Sequence, residues 1–126
     1  MTHNELTMSI FWQLISFAKL NQNPHEEFET FPISFEIAKT KGIKNTLNAF
    51  KTLQKNGFLQ TTSPIFKTVF LTPKAFLLTK KEGIKAQTNK NNYYIALAEE
   101  KGKHEIAENL RQENELIKIL TANSFQ

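Results

Sequence analysis

The chain predicts a mainly helical fold with a small β-hairpin (α+β), and three observations carry that prediction. Residues 34–57 place apolar side chains at helical spacing in two short blocks, each closed by a glycine. The next runs, FLQTT at 58–62 and FKTVFL at 66–71, are rich in β-branched and aromatic residues, and Ser63-Pro64 breaks between them. Long helical patterns flank this centre at 6–20 and 93–122. A length of 126 residues bounds the chain to one domain with, at most, an appended helix or arm.

Taken in order, LTMSIFWQLISFAKL at 6–20 predicts a first helix capped by Thr7 or Asn4. Ile10, Phe11, Leu14, Ile15, Phe17 and Ala18 give it an apolar face wide enough to touch two neighbours, core or partner subunit. Trp12 reads as a structural anchor rather than a stacking platform. Residues 21–29 form a polar, acidic loop around Pro24, and residues 28–33 alternate as a short edge strand that tolerates Pro32. Ser34 then caps a helix with Phe35, Ile37 and Ala38 on its apolar side, and Gly42 ends it in left-handed geometry. In the second helix Ile43, Leu47, Phe50 and Leu53 follow at spacings of four, three and three, sharing one face; Gly57 closes it.

Beyond the hairpin, Thr72-Pro73 signals a helix start, and Ala75, Phe76, Leu77 and Leu78 make a short apolar turn broken by Gly83. KAQTNKNN at 85–92 has linker composition. The expected organisation is therefore a domain at 1–84, a linker at 85–92 and a helical extension at 93–126 bending at Gly102. Ile106, Leu110, Ile117 and Leu120 form an amphipathic stripe there, with Glu113 in the seam. The stripe predicts a homodimer; the alternative is packing on the first helix of the same chain.

Helix, turn, helix and hairpin together are the core of a winged helix-turn-helix, here with a C-terminal helical extension. The run GIKNTLNAFKTLQKNGFL at 42–59 resembles the recognition helix and following strand of bacterial winged-helix proteins. It is similar to MarR-like regulators and to winged-helix domains of phage and plasmid replication proteins. Leu53-Gln54-Lys55-Asn56-Gly57-Phe58-Leu59 carries the likeness best, as an L-x-x-x-G-[FL]-[LI] helix exit. About half the chain is covered, and the fold is better specified than the role.

Charge sharpens this reading. Residues 1–33 hold one Lys and four Glu, residues 34–90 hold eleven Lys and two Glu, and residues 91–126 hold four basic and six acidic side chains. The net +9 block thus coincides with the helix-turn-helix and wing, where a polyanion would dock. The resemblance implies that the second helix enters the major groove of double-stranded DNA. Lys44, Asn45, Thr46, Asn48, Lys51, Thr52 and Lys55 are its candidate contacts, with Thr61, Thr62, Ser63 and Lys67 in the wing. Asparagines pair with adenine edges, while Lys51 and Lys55 suit phosphate. Arg111, the single arginine, lies in the tail, so guanine readout by arginine is not expected and a weak A·T bias is.

Three roles fit: a dimeric transcriptional regulator, a phage or plasmid replication, partition or mobilisation factor, and a winged-helix protein-interaction module. The last requires an exposed apolar anchor near residues 44–55, for which Ile65 is the single candidate. Enzymatic activity is not expected. There is no Asp and no Cys, glycines are scattered, and His104 and Glu108 lack a third ligand. His25-Glu26-Glu27 likewise stands alone, so no metal or cofactor is anticipated. No apolar run approaches a membrane span and the opening residues lack a signal-peptide pattern, which predicts a soluble, cytoplasmic protein.

Overall fold

The computed structural model describes residues 1–20 and 26–122; residues 21–25 of the expected 21–29 loop, with Pro24 and His25, lie outside them. The described residues form six helices and a small antiparallel sheet. In chain order these are α1 (His3–Leu20), β1 (Phe28–Glu29), α2 (Phe31–Lys41), α3 (Ile43–Lys55), β2 (Leu59–Gln60), β3 (Thr68–Leu71), α4 (Pro73–Leu77), α5 (Lys81–Glu100) and α6 (His104–Ala122). The chain divides into two compact units, Met1–Phe76 and Leu77–Gln126.

In the first unit α1 starts earlier than its apolar pattern implies. Thr2 and Glu5 form a reciprocal capping box: the Glu5 amide donates to Thr2 Oγ1 and the Thr2 amide to Glu5 Oε1, both at 3.1 Å. Neither Asn4 nor Thr7 caps it; Thr7 is buried and its hydroxyl donates to the His3 carbonyl at 2.8 Å. Ile10, Phe11, Leu14, Ile15 and Ala18 are buried as expected, and Leu6 and Met8 join them. Burial on this width of helix follows from α1 packing against α2, α3 and β3 together.

The sheet order is β1-β3-β2, with Phe28 opposite Val69 and Leu59 opposite Leu71. The edge strand expected at 28–33 stops at Glu29, and Phe31-Pro32 opens α2 instead. A proline's fixed φ suits a first helical turn as well as an edge strand, so alternation alone could not decide. Ser34 is consequently inside the helix. Thr30 stands at the N-cap, but its hydroxyl donates to the Phe66 carbonyl at 2.6 Å and ties α2 to the hairpin. Ile33 and Ile37 face the core while Phe35 is exposed, a rotation of the expected apolar side.

Gly42 is the whole connection between α2 and α3. Its φ is positive as expected, but ψ is 152°, an extended geometry that a Cβ excludes. Gly57 ends α3 in a Schellman arrangement, with φ +76° and the Phe58 amide donating to the Leu53 carbonyl. Phe11, Phe50 and Phe58 are fully enclosed; Phe58 packs 5.4 Å from Phe11, and Phe66 stacks 5.5 Å from Phe50.

In the second unit, Thr79 and Lys80 precede a helix that runs straight through the expected linker at 85–92. Gly83 does not break structure: it sits in the first turn of α5, where a Cβ would collide with the Leu77 carbonyl. Gly102, at φ +72°, makes the turn to α6 as expected, with the Lys103 amide donating to the Ala98 carbonyl. Contacts between Gln87 or Asn91 and Glu113, and between Glu99 and Arg111, show α5 and α6 running antiparallel. Ile117 and Leu120 of the expected dimer stripe are buried in the single chain; Leu110 is half-buried and Ile106 exposed. No helix among the described residues is long and apolar enough to cross a membrane.

Candidate nucleic-acid interface

Helix α3 encloses two small and two large side chains on its inner line. Thr46, Ala49, Phe50 and Leu53 are buried, whereas Ile43 is 71% exposed and Leu47 half-buried. Phe50 and Leu53 face inward as expected, while Thr46 and Ala49 take the inner places expected of Ile43 and Leu47. A buried Thr and Ala, beside a large exposed Ile, disguise that line.

Turning the inner line inward leaves Lys44, Asn48, Lys51 and Lys55 on the opposite side, all exposed, at spacings of four, three and four. They form one stripe roughly 16 Å long on a helix with no acidic residue. Lys74 stabilises the far end of the helix, its Nζ donating to the Asn56 carbonyl at 2.8 Å while lying 5.3 Å over the Phe58 ring.

The remaining expected contacts separate into projecting and structural side chains. Thr46 leaves the exposed set altogether: it is 4% exposed, and its hydroxyl donates to the Gly42 carbonyl at 2.8 Å. Asn45 is exposed, but its amide nitrogen donates to the Lys41 carbonyl at 2.8 Å, so one of its two amide hydrogens is committed. Thr52 donates to the Asn48 carbonyl and meets His3 Nε2 at 3.0 Å. His3 therefore borders the stripe from α1, forty-nine residues away in sequence; no local pattern signals it.

In the hairpin loop, Thr61 donates to the Thr68 carbonyl and accepts the Ser63 amide, while Ser63 Oγ accepts the Lys67 amide. Thr61 and Ser63 thus build the turn, and Thr62 and Lys67 are its exposed polar side chains. The loop ends at Phe66, whose φ of +58° is unusual for a bulky residue. Its amide bonds the Ser63 carbonyl, its carbonyl accepts Thr30, and its ring stacks on Phe50. Those three contacts hold the loop conformation.

The arrangement offers a row of cations with one amide between them, beside a hairpin carrying another cation. Such a surface can neutralise phosphate along its length and present hydrogen-bonding groups to base edges. No three metal-ligating side chains cluster among the described residues. No protein-family model matches this chain, and no curated protein or solved structure matches it significantly.

Proposed function

We propose that the first unit is a winged helix-turn-helix that binds double-stranded DNA, with α3 in the major groove and residues 61–68 as the wing. The observation that carries this reading is the exposed stripe Lys44, Asn48, Lys51 and Lys55, set opposite the buried line of the same helix. A regulator binding as a homodimer is the first form of the proposal; a phage or plasmid replication, partition or mobilisation factor is the alternative. Both use the same surface and differ in where the DNA site lies. With Ile117 and Leu120 covered in the single chain, a dimer contact falls to Ile106 and Leu110. Sedimentation of the full chain at micromolar concentration, with and without Ile106→Glu, tests that contact.

The interface is tested by selecting duplexes from a random pool and comparing the winner with random DNA. Lys51→Ala and Lys55→Ala should weaken both alike and reduce the slope of log affinity against log salt by about one each. Asn48→Ala should cost about 1–3 kcal/mol on the selected duplex and spare the random one. Parent-like binding by all three variants would remove α3 from the groove.

A further inference from the structure

The first unit exposes more apolar surface than a DNA-binding stripe requires. Phe31 is 63% exposed, Phe35 48%, Ile43 71% and Ile65 67%. These four are not scattered: with Leu47 and Phe66 they line one cleft of about 380 Å³ between α2, the start of α3 and the hairpin loop. A shared cleft of large exposed apolar side chains marks an interaction surface rather than ordinary surface hydrophobes.

Its shape follows from two helices. Phe31, Phe35 and Ala38 lie at i, i+4 and i+7 along α2, and Ile43, Leu47 and Phe50 at i, i+4 and i+7 along α3. Each wall is therefore roughly two turns, or ~10 Å, long, the span over which a bound helix presents anchors at i, i+3 or i+4, and i+7. Ile65 closes one side from a loop held by the stacked Phe66, so this wall is fixed before any partner arrives.

The charge around the cleft selects the occupant. Lys39 Nζ sits 5.3 Å over the Phe35 ring, directly on the wall. Lys41 and Lys44 bracket Ile43 in the chain, and Lys67 follows Phe66; among the carboxylates of these segments, Glu36 lies 3.7 Å from Lys39, Glu27 accepts the Thr68 hydroxyl, and Glu29 stands opposite Thr68 in the sheet. A helix with a basic flank would face like charge here, while carboxylates beside its apolar anchors would meet lysines. DNA does not suit the cleft, because phosphate gains nothing against an apolar wall. The cleft-facing line of α3 also lies roughly a quarter turn from the Lys44–Asn48–Lys51–Lys55 stripe.

We propose that this cleft receives an acidic amphipathic helix of another protein. The inference stands independently of DNA binding. It is tested with the full chain and three labelled peptides of roughly 18 residues, about five helical turns. One carries Leu and Phe at i, i+3, i+4 and i+7 with Glu elsewhere; the second replaces Glu by Lys; the third scrambles the first. Anisotropy should give micromolar binding of the acidic peptide and at least about tenfold weaker binding of the others. Ile43→Ser and, separately, Ile65→Ser should weaken the acidic peptide about tenfold with unchanged melting, since both side chains are exposed. Lys39→Glu should weaken the acidic peptide and strengthen the basic one. Equal binding of acidic and scrambled peptides, or indifference to both isoleucine substitutions, overturns the proposal. Concentration-dependent self-association abolished by Ile65→Ser also overturns it, because the occupant is then a second copy of this chain.

Discussion

Both units bury aliphatic side chains, but the first adds enclosed rings, whereas the second adds a buried amide and a carboxylate between its two helices. Phe11, Phe50, Phe58 and Phe66 are buried in the one; Asn91 and Glu113 are buried in the other. Asn91 Nδ2 donates to Glu113 and, at 2.9 Å, to Asn114, and Gln87 also reaches Glu113. The small residues Ala98 and Ala107, buried near the Gly102 turn, bring the two helices close. Rings stabilise by area and shape, and tolerate no shrinkage. The polar seam contributes less but fixes register, because a shifted pairing leaves buried hydrogen-bonding groups unmet.

The largest expected effect is at Phe50. Phe50→Ala should cost about 3–5 kcal/mol by removing an enclosed ring and its stack on Phe66. Chemical denaturation measures it, and a midpoint close to the parent would break the contrast at its stronger side. Next comes Asn91→Ala, which strips a buried carboxylate and Asn114 of a donor and should cost about 1–3 kcal/mol. Paired with Glu113→Ala in a double-mutant cycle, it should show coupling; additive losses would mean the seam is not a network. A loss at Asn91 exceeding that at Phe50 would reverse the ordering of the two units.

The smallest effect is electrostatic and lies at the start of α1. Hydrogen bonds from the Thr2 amide and hydroxyl hold the Glu5 carboxyl below the usual range. Its folded pKa is lower than its unfolded one, so the stabilisation is present above the unfolded value and fades as pH falls through the folded value. Amide exchange of Glu5 and Leu6 should accelerate in that acid window, and Thr2→Ala, which removes the hydroxyl but keeps the backbone donor, should weaken the dependence without abolishing it. An unchanged profile in Thr2→Ala would separate the capping box from the titration.

The candidate site is partly legible in the sequence. Lysines at 44, 51 and 55 and Asn48 share a stripe by spacing alone, and the fold leaves them exposed. Thr46 reads as a contact but is buried, since a threonine is equally at home bonding its own helix carbonyl inside or meeting solvent outside. Thr61 and Ser63 read as contacts because hydroxyls suit both turns and ligands, yet here their bonds build the turn. Of the apolar cleft only Ile65 is legible in the sequence, because Phe35 and Ile43 read as inward faces of their helices and Phe31 as part of an edge strand.

Sequence by itself determined the helix, turn, helix and hairpin order at 34–71, the positive φ at Gly42 and Gly57, a bend at Gly102, and the basic block over α3. These depend on local spacing, on the absence of a Cβ and on side-chain charge, which act within a few residues. Tertiary structure decided the rest: that residues 85–92 continue α5, that Glu113 and Asn91 meet inside a helix pair, and that Ile43 turns outward while Thr46 turns in. A polar stretch becomes helix when a neighbour covers one of its faces, and a helix takes the rotation that encloses most apolar area across all its contacts. Neither quantity exists until distant segments pack.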